Sequence, residues 1–150
     1  MSYTTFTIPD AALTMPLLRN AVADPEIEMD LRDDGTVKLM GSLDAGARYD
    51  IENALEAARF PFDRFRVDEG TGDDDTGDRR MFRPAATDDA ASEDVILSVS
   101  AHDDVLFFLE DWDRVATTPG GAITRAQVEQ FLGLTVPPLA AWLRDHPVTP

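Results

Sequence analysis

Residues 95–116 read VILSVSAHDDVLFFLEDWDRVA, and this stretch decides which fold the chain can form. Val95, Ile96, Leu97 and Val99 make a short β-rich run that is apolar on both faces, the pattern of a central strand. Ser100 stands three residues before Asp103, a capping-box-like spacing that offers a side-chain acceptor to the first amides of a helix. Asp103 and Asp104 in the first turn suit the positive end of the helix dipole. Val105, Phe108, Leu109, Trp112 and Val115 or Ala116 then recur at helical spacing, which predicts a helix with one apolar face. Leu106 and Phe107 widen that face, so that either the helix is buried on more than one side, the plainer core reading, or Phe107 belongs to an interface. Glu110, Asp111 and Asp113 fall outside it, with Arg114 alone to offset them. A strand feeding an amphipathic helix calls for a fold that mixes both.

Upstream, the composition of Asp68–Asp94 is set by ten acids and three arginines. DEGTGDDDTGD and PAATDDAASED read as loops, and RRMFR between them as a brief strand able to pair with FDRFRV. In that partner, Phe62, Phe65 and Val67 suggest a strand with Arg64 and Arg66 on the opposite face, neutralising neighbouring carboxylates. Ser42 or Asp44 caps a helix running to about Arg59, ended by Phe60-Pro61. Earlier still, Ile27, Met29 and Leu31 alternate with Glu26, Glu28, Asp30 and Arg32, a half-buried strand. Asp34-Gly35 turns it into a return strand through Val37, Leu39 and Leu43. Tyr3 to Ile8 reads as a first strand, and Ala11 to Val22 as a helix with Pro16 in its first turn.

Downstream, TTPGG breaks the chain, and Thr124 with Gln127 gives a second capping-box spacing. Val128, Phe131 and Leu132 face one way, Gly133 ends that helix, and Pro137-Pro138 opens a last helix bearing Leu139, Trp142 and Leu143. The expected fold is α+β: an antiparallel sheet packed by helices, with a small C-terminal helical hairpin. Residues 1–117 form the acidic body, and residues 118–150 the helical subregion packed on the same domain.

The 150 residues are enough for one ordinary core, and 43% hydrophobic content agrees with folding. No run approaches the roughly eighteen apolar residues of a membrane span, and MSYTTFTIPD lacks the features of a secretion signal. The absence of cysteine excludes disulfides, thiol catalysis and cysteine zinc sites, and suits a cytoplasmic protein. Charge dominates: 29 acids against 13 basic residues give −16, and Lys38 is the one lysine. Such a field repels nucleic acid and acidic membranes and favours basic partners. A salt-adapted surface would show the same composition without any partner.

The segment AITRAQVEQFLGLTVPPLAAWLRDH, residues 122–146, resembles the helix-turn-helix of excisionase and MerR-like DNA-binding proteins. Thr124, Val128, Leu132, the Gly133-Leu134-Thr135 turn, Leu139, Trp142, Leu143 and Arg144 carry the match. The resemblance implies a transcriptional regulator whose second helix enters the major groove, with Arg125, Thr135 and Arg144 as the groups that meet DNA. Yet Pro137, Pro138, Ala140 and Ala141 stand where base-reading side chains belong, and the body is strongly acidic, so direct nucleic-acid binding is disfavoured.

Metal, cofactor and catalytic sites are not expected. Asp73, Asp75 and Gly77 imitate a calcium loop, but Pro84 takes the place of its last ligand. The chain has no nucleophile elbow, no phosphate-cradling glycine loop and no His-Glu-x-x-His, and His102 and His146 are the only histidines. The reading is a non-enzymatic regulator or inhibitor that binds a basic, nucleic-acid-binding protein. In its sharper form, carboxylates of Glu26, Glu28, Asp30, Asp73, Asp74, Asp75, Asp78, Asp111 and Asp113 imitate nucleic-acid phosphates, in the manner of phage and plasmid inhibitors of host defence.

Overall fold

Thr, Phe, Tyr and Ile fill Ser2–Pro9, and this strand, β1, becomes the middle of the sheet. The computed structural model describes residues 2–68, 76–87, 89–116 and 120–148. Beside β1 lies β3 (Thr36–Leu43), with the short β2 (Glu28–Leu31) at its outer edge. On the other flank follow β4 (Phe62–Asp68), β5 (Thr76–Arg83) and β6 (Glu93–Ser100). The order is β2-β3-β1-β4-β5-β6, and every neighbouring pair is antiparallel.

Strand periodicity sorts the side chains onto two faces. Phe6 lies opposite Leu39 on one side and Arg64 on the other, and Ile8 lies opposite Val37. Helices α1 (Pro16–Val22) and α2 (Ala45–Ala57) cover this face, α2 passing over β1 as the chain goes from β3 to β4. Phe6, Ile8, Leu18, Val37, Leu39, Ile51, Leu55, Phe62 and Phe82 form its core. Phe62 stacks on Phe82 with ring centres 5.4 Å apart.

The opposite face is covered from the C-terminal end. Met81, Val95, Leu97 and Val99 share it by register; the connection after α4 (Arg125–Phe131) supplies the buried Val136, and α5 (Leu139–Asp145) supplies the buried Leu139 and Trp142. Gly133 has φ +68, and a Cβ there would come within 2.5 Å of Met81 Cε and 3.0 Å of Val95 Cγ1. Glycine lets the turn sit on the strands. Arg83, fully buried, fastens the pair to the sheet: Nε and an Nη donate to the Pro137 carbonyl at 3.2 and 3.0 Å, and the other Nη donates to Asp63 at 2.7 Å and to the Phe62 carbonyl at 3.1 Å.

The fold is the α+β arrangement expected, with its C-terminal helical pair, and the early hairpin turns at Gly35 with φ +81. The strand pairing of β4 with β5 and the Thr124–Gln127 capping box are also present. Several local expectations are corrected. β6 is the last strand of the sheet, not a central one; Leu97 and Val99 are buried while Ile96 is 59% exposed, because α2 does not reach that far. The helix expected from Ser100 begins only at α3 (Leu109–Val115). Ser100 Oγ instead accepts the amides of His102 and Asp104, both at 3.2 Å, in a local turn that competes with a helical cap. The chain then runs back along β6, with the Leu106 amide donating to Ser98 O at 2.8 Å. The expected Ala11–Val22 helix is split into a 3₁₀ turn, Asp10–Thr14, and α1. Pro16 at the first helical position forces Met15 out of the helical region, to φ −67 and ψ 131. The strand around Ile27–Leu31 is exposed throughout β2 rather than half-buried, since the helices end short of this edge. Asp44, not Ser42, caps α2, its Oδ1 accepting the Ala47 amide at 2.8 Å. Among the described residues no helix is long and apolar enough to cross a membrane.

Candidate partner-binding surfaces

Strand alternation places Arg64 and Arg66 of β4 on the helix-covered face, with Asp78 and Arg80 of β5 opposite them. Beneath α2 these groups condense into one ionic network. Arg64 Nε lies 2.8 Å from Glu52 Oε1, and Arg80 reaches Glu52 at 2.7 Å, Glu56 at 2.8 Å and Asp94 at 2.7 Å. Asp78 bridges Arg64 and Arg66, and Arg66 continues to Asp68 at 2.6 Å. Burial pushes the Arg64 guanidinium down to about 10, opposed by Glu52 and helped by the like charges of Arg48 and Arg66. Hydrogen bonds from Asp94, then Glu52, hold Arg80 above its ordinary range. Both arginines stay charged at neutral pH. The pairing expected of Arg64 and Arg66 is therefore intramolecular. Arg48 and Glu52 gave no sequence signal, because an Arg and a Glu four residues apart on a helix ordinarily face solvent.

This network decides which acidic side chains remain for a partner. Asp78 is committed to Arg64 and Arg66. Asp111 is buried; its Oδ2 accepts the Phe108 amide at 2.9 Å at the start of α3, and Arg114 lies 3.4 Å from its other oxygen. Glu26, Glu28 and Asp30 are exposed at the β2 edge, and Asp30 pairs loosely with Arg32 at 3.6 Å. Asp113 is exposed on α3, with the Gly120 amide 3.4 Å from it. Asp73, Asp74 and Asp75 lie outside the described residues. Glu26, Glu28 and Asp30 thus lie at the β2 edge, while Asp113 is on α3, which follows β6 at the other edge; the two edge strands are five strand spacings, roughly 24 Å, apart.

The segment read as the apolar face of a core helix is instead a surface. Val105, Phe107, Phe108, Leu109 and Trp112 are all exposed, Leu109 at 82% and Phe108 at 50%. Phe107 packs edge-on against Trp112 and Phe131, with ring centres 6.4 and 5.2 Å away. Trp112 Nε1 donates to the Gly121 carbonyl at 2.9 Å. The aromatic rings are therefore held in place rather than left loose. Asp103, Asp104, Glu110 and Asp113 flank or interrupt this run in the chain, all exposed, with Asp103 paired to Arg79.

At the C-terminal pair, Arg125 is held by Glu129 at 2.6 Å, and Thr135 and Arg144 are exposed on separate elements. Arg144 stands beside Asp10 and Asp34 around a cleft of about 210 Å³. Leu139 and Trp142 of the second helix are buried against the molecule's own body. Among the described residues no group of three or more His, Asp or Glu is placed to hold a metal ion. No family model, curated protein or solved structure matches the chain.

Proposed function

We propose that this chain is a non-enzymatic, cytoplasmic regulator that acts by binding a basic partner protein, with Val105–Asp113 as the centre of contact. The observation that carries the reading is the run of five large apolar side chains left exposed between Val105 and Trp112, with the exposed Asp103, Asp104, Glu110 and Asp113 beside them in the chain. Folded monomers seldom leave such a contiguous patch uncovered, and an aromatic centre with a charged rim is the anatomy of protein interfaces. The rim sets the partner's sign: a net charge of −16 and local Asp103, Asp104, Glu110 and Asp113 favour a cationic surface. Nucleic-acid-binding proteins present such surfaces, so carboxylates standing in for phosphates at this rim is the sharper form of the same reading.

The test is capture of partners by the tagged protein from nuclease-treated lysate, repeated with added duplex DNA and at high salt. The reading expects a nucleic-acid-binding protein that both treatments release, because salt screens the rim and DNA competes for the groove. Leu109→Ser with Phe108→Ser should abolish that capture, and Glu28→Lys with Asp30→Lys at the far edge should leave it. Retention of DNA by the protein itself, or capture indifferent to the Phe108 and Leu109 changes, would overturn it.

A further inference from the structure

We propose that the cleft at the start of α2 is a binding site for a small molecule carrying a carboxylate beside an amino group, with Arg48 as the seat of the carboxylate. Arg48 is 6% exposed, and its Nε is buried without a hydrogen-bond partner. Among the described residues no carboxylate pairs with it. Glu52, one turn further along the helix, is taken by Arg64 and Arg80, and the guanidinium of Arg48 rests over the Tyr49 ring at 4.7 Å. A buried guanidinium N–H without an acceptor is costly to leave unmet, and the ordinary remedy is an anion. A planar guanidinium suits a carboxylate in two-point contact.

Arg48 lines a cleft of about 250 Å³ together with Ser2, Asp44, Arg66 and Asp68. The volume sits just below the range of drug-sized pockets, about 300 Å³ upward, and selects a small ligand. Arg48 and Arg66, which both line the cleft, each act on the Arg64 guanidinium, and the cleft opens at the amino end of the 13-residue α2, whose dipole favours an anion. Asp44, whose Oδ1 caps α2, and Asp68, which Arg66 holds at 2.6 Å, bring negative charge to the same cleft through their remaining oxygens. A bare phosphate would meet both attraction and repulsion there. A zwitterion places its carboxylate on Arg48 and its ammonium towards the two aspartates. Amino acids are the simplest members of that class.

The experiment follows the Arg48 Nε–Hε resonance of the intact protein by NMR, at fixed ionic strength, during titration with L-alanine, sodium acetate or inorganic phosphate. The expected result is saturable movement with L-alanine and binding about tenfold or more weaker with acetate and phosphate. Arg48→Met removes an unpaired charge, so it should fold, and its thermal midpoint should no longer rise with L-alanine. Absence of saturation with all three probes overturns the proposal, and so does acetate or phosphate binding as tightly as L-alanine. Should Arg48→Met fail to fold, the wild-type titration still decides.

Discussion

Arg64 and Glu52 meet between β4 and α2 with Nε 2.8 Å from Oε1 and side chains only 5% and 4% exposed. Neither atom makes an aligned hydrogen bond, so the contact is held by charge and not by directed geometry. Desolvating two such ions offsets most of their attraction, yet removing one alone strands the other in the core. Glu52 serves Arg80 as well, which doubles what is stranded. Glu52→Gln is therefore expected to lower unfolding stability by roughly 3–5 kcal/mol. Adding Arg64→Met to Glu52→Leu should recover much of that loss. Urea denaturation of the three variants measures both, and a double variant no better than Glu52→Gln would contradict the account.

Arg83 ties the C-terminal pair to the sheet through the Pro137 carbonyl, and that tie is testable separately. Arg83→Met leaves a buried carbonyl and the Asp63 carboxylate unmet, at roughly 1–3 kcal/mol for each group. Amide exchange should quicken in α5 more than in β1 and β3, which Arg83 does not touch. Uniform acceleration across all elements would mean that the tie is not local.

The elements were legible where two signals agreed. β1, the Asp34-Gly35 turn, α2 and the Thr124–Gln127 cap each combine periodicity with a cap or turn residue, and each is found. The segment after Ser100 misled because its Ser and Asp spacing serves a helix cap and a local turn equally, and only the pairing with β6 chooses between them. Strand order was not legible: it follows from long-range pairing of β1 with both β3 and β4, which no local pattern encodes. The partner surface was half legible. Asp78 and Asp111 count as surface charge in a sequence, and only the fold shows that arginines and a backbone amide hold them. The apolar residues of 105–112 were singled out for the core, and the fold turns them outward. Arg48 escaped notice because nothing local marks a cation whose expected carboxylate is claimed by another strand.

Glycine at position 133 answers to two demands that can be separated. Both Gly120 and Gly133 have positive φ, +67 and +68, but a Cβ at Gly120 meets open space while one at Gly133 meets Met81 and Val95. Gly120→Ala should cost about 1–2 kcal/mol from backbone strain alone. Gly133→Ala should cost more, by about 1–3 kcal/mol for the forced repacking. Thermal or urea unfolding compares the two directly, and equal losses would show that the helical pair yields freely on the sheet.

Leu109 distinguishes a surface from a core. At 82% exposure, Leu109→Ser should change stability by no more than about 0.5 kcal/mol. A leucine packed in a core would lose about 2–5 kcal/mol on truncation, as Leu139, 3% exposed, is expected to do when changed to Ala. Unfolding midpoints of the two variants give the contrast, and similar losses would place the Val105–Trp112 segment inside the fold.

The hairpin turn carries a proton-linked contribution whose sign is fixed by its geometry. Asp34 Oδ1 accepts the Thr36 hydroxyl at 2.5 Å and the Thr36 amide at 3.0 Å, and the hydroxyl bond foremost holds its carboxyl below the ordinary value of 3.8. The folded state thus favours the ionised form, and the unfolded chain takes up a proton first as the pH drops. The stabilisation is complete above the ordinary carboxylate value and is lost as pH falls through the lower, folded one. The stability difference between the wild-type protein and Asp34→Ala should accordingly be constant near neutrality and shrink in acid. Taking the difference cancels the general relief of repulsion that a chain of net charge −16 gains on acidification. Urea titrations of both proteins from neutral pH to below 3.8 measure it, and a difference that widened in acid would reverse the assigned sign.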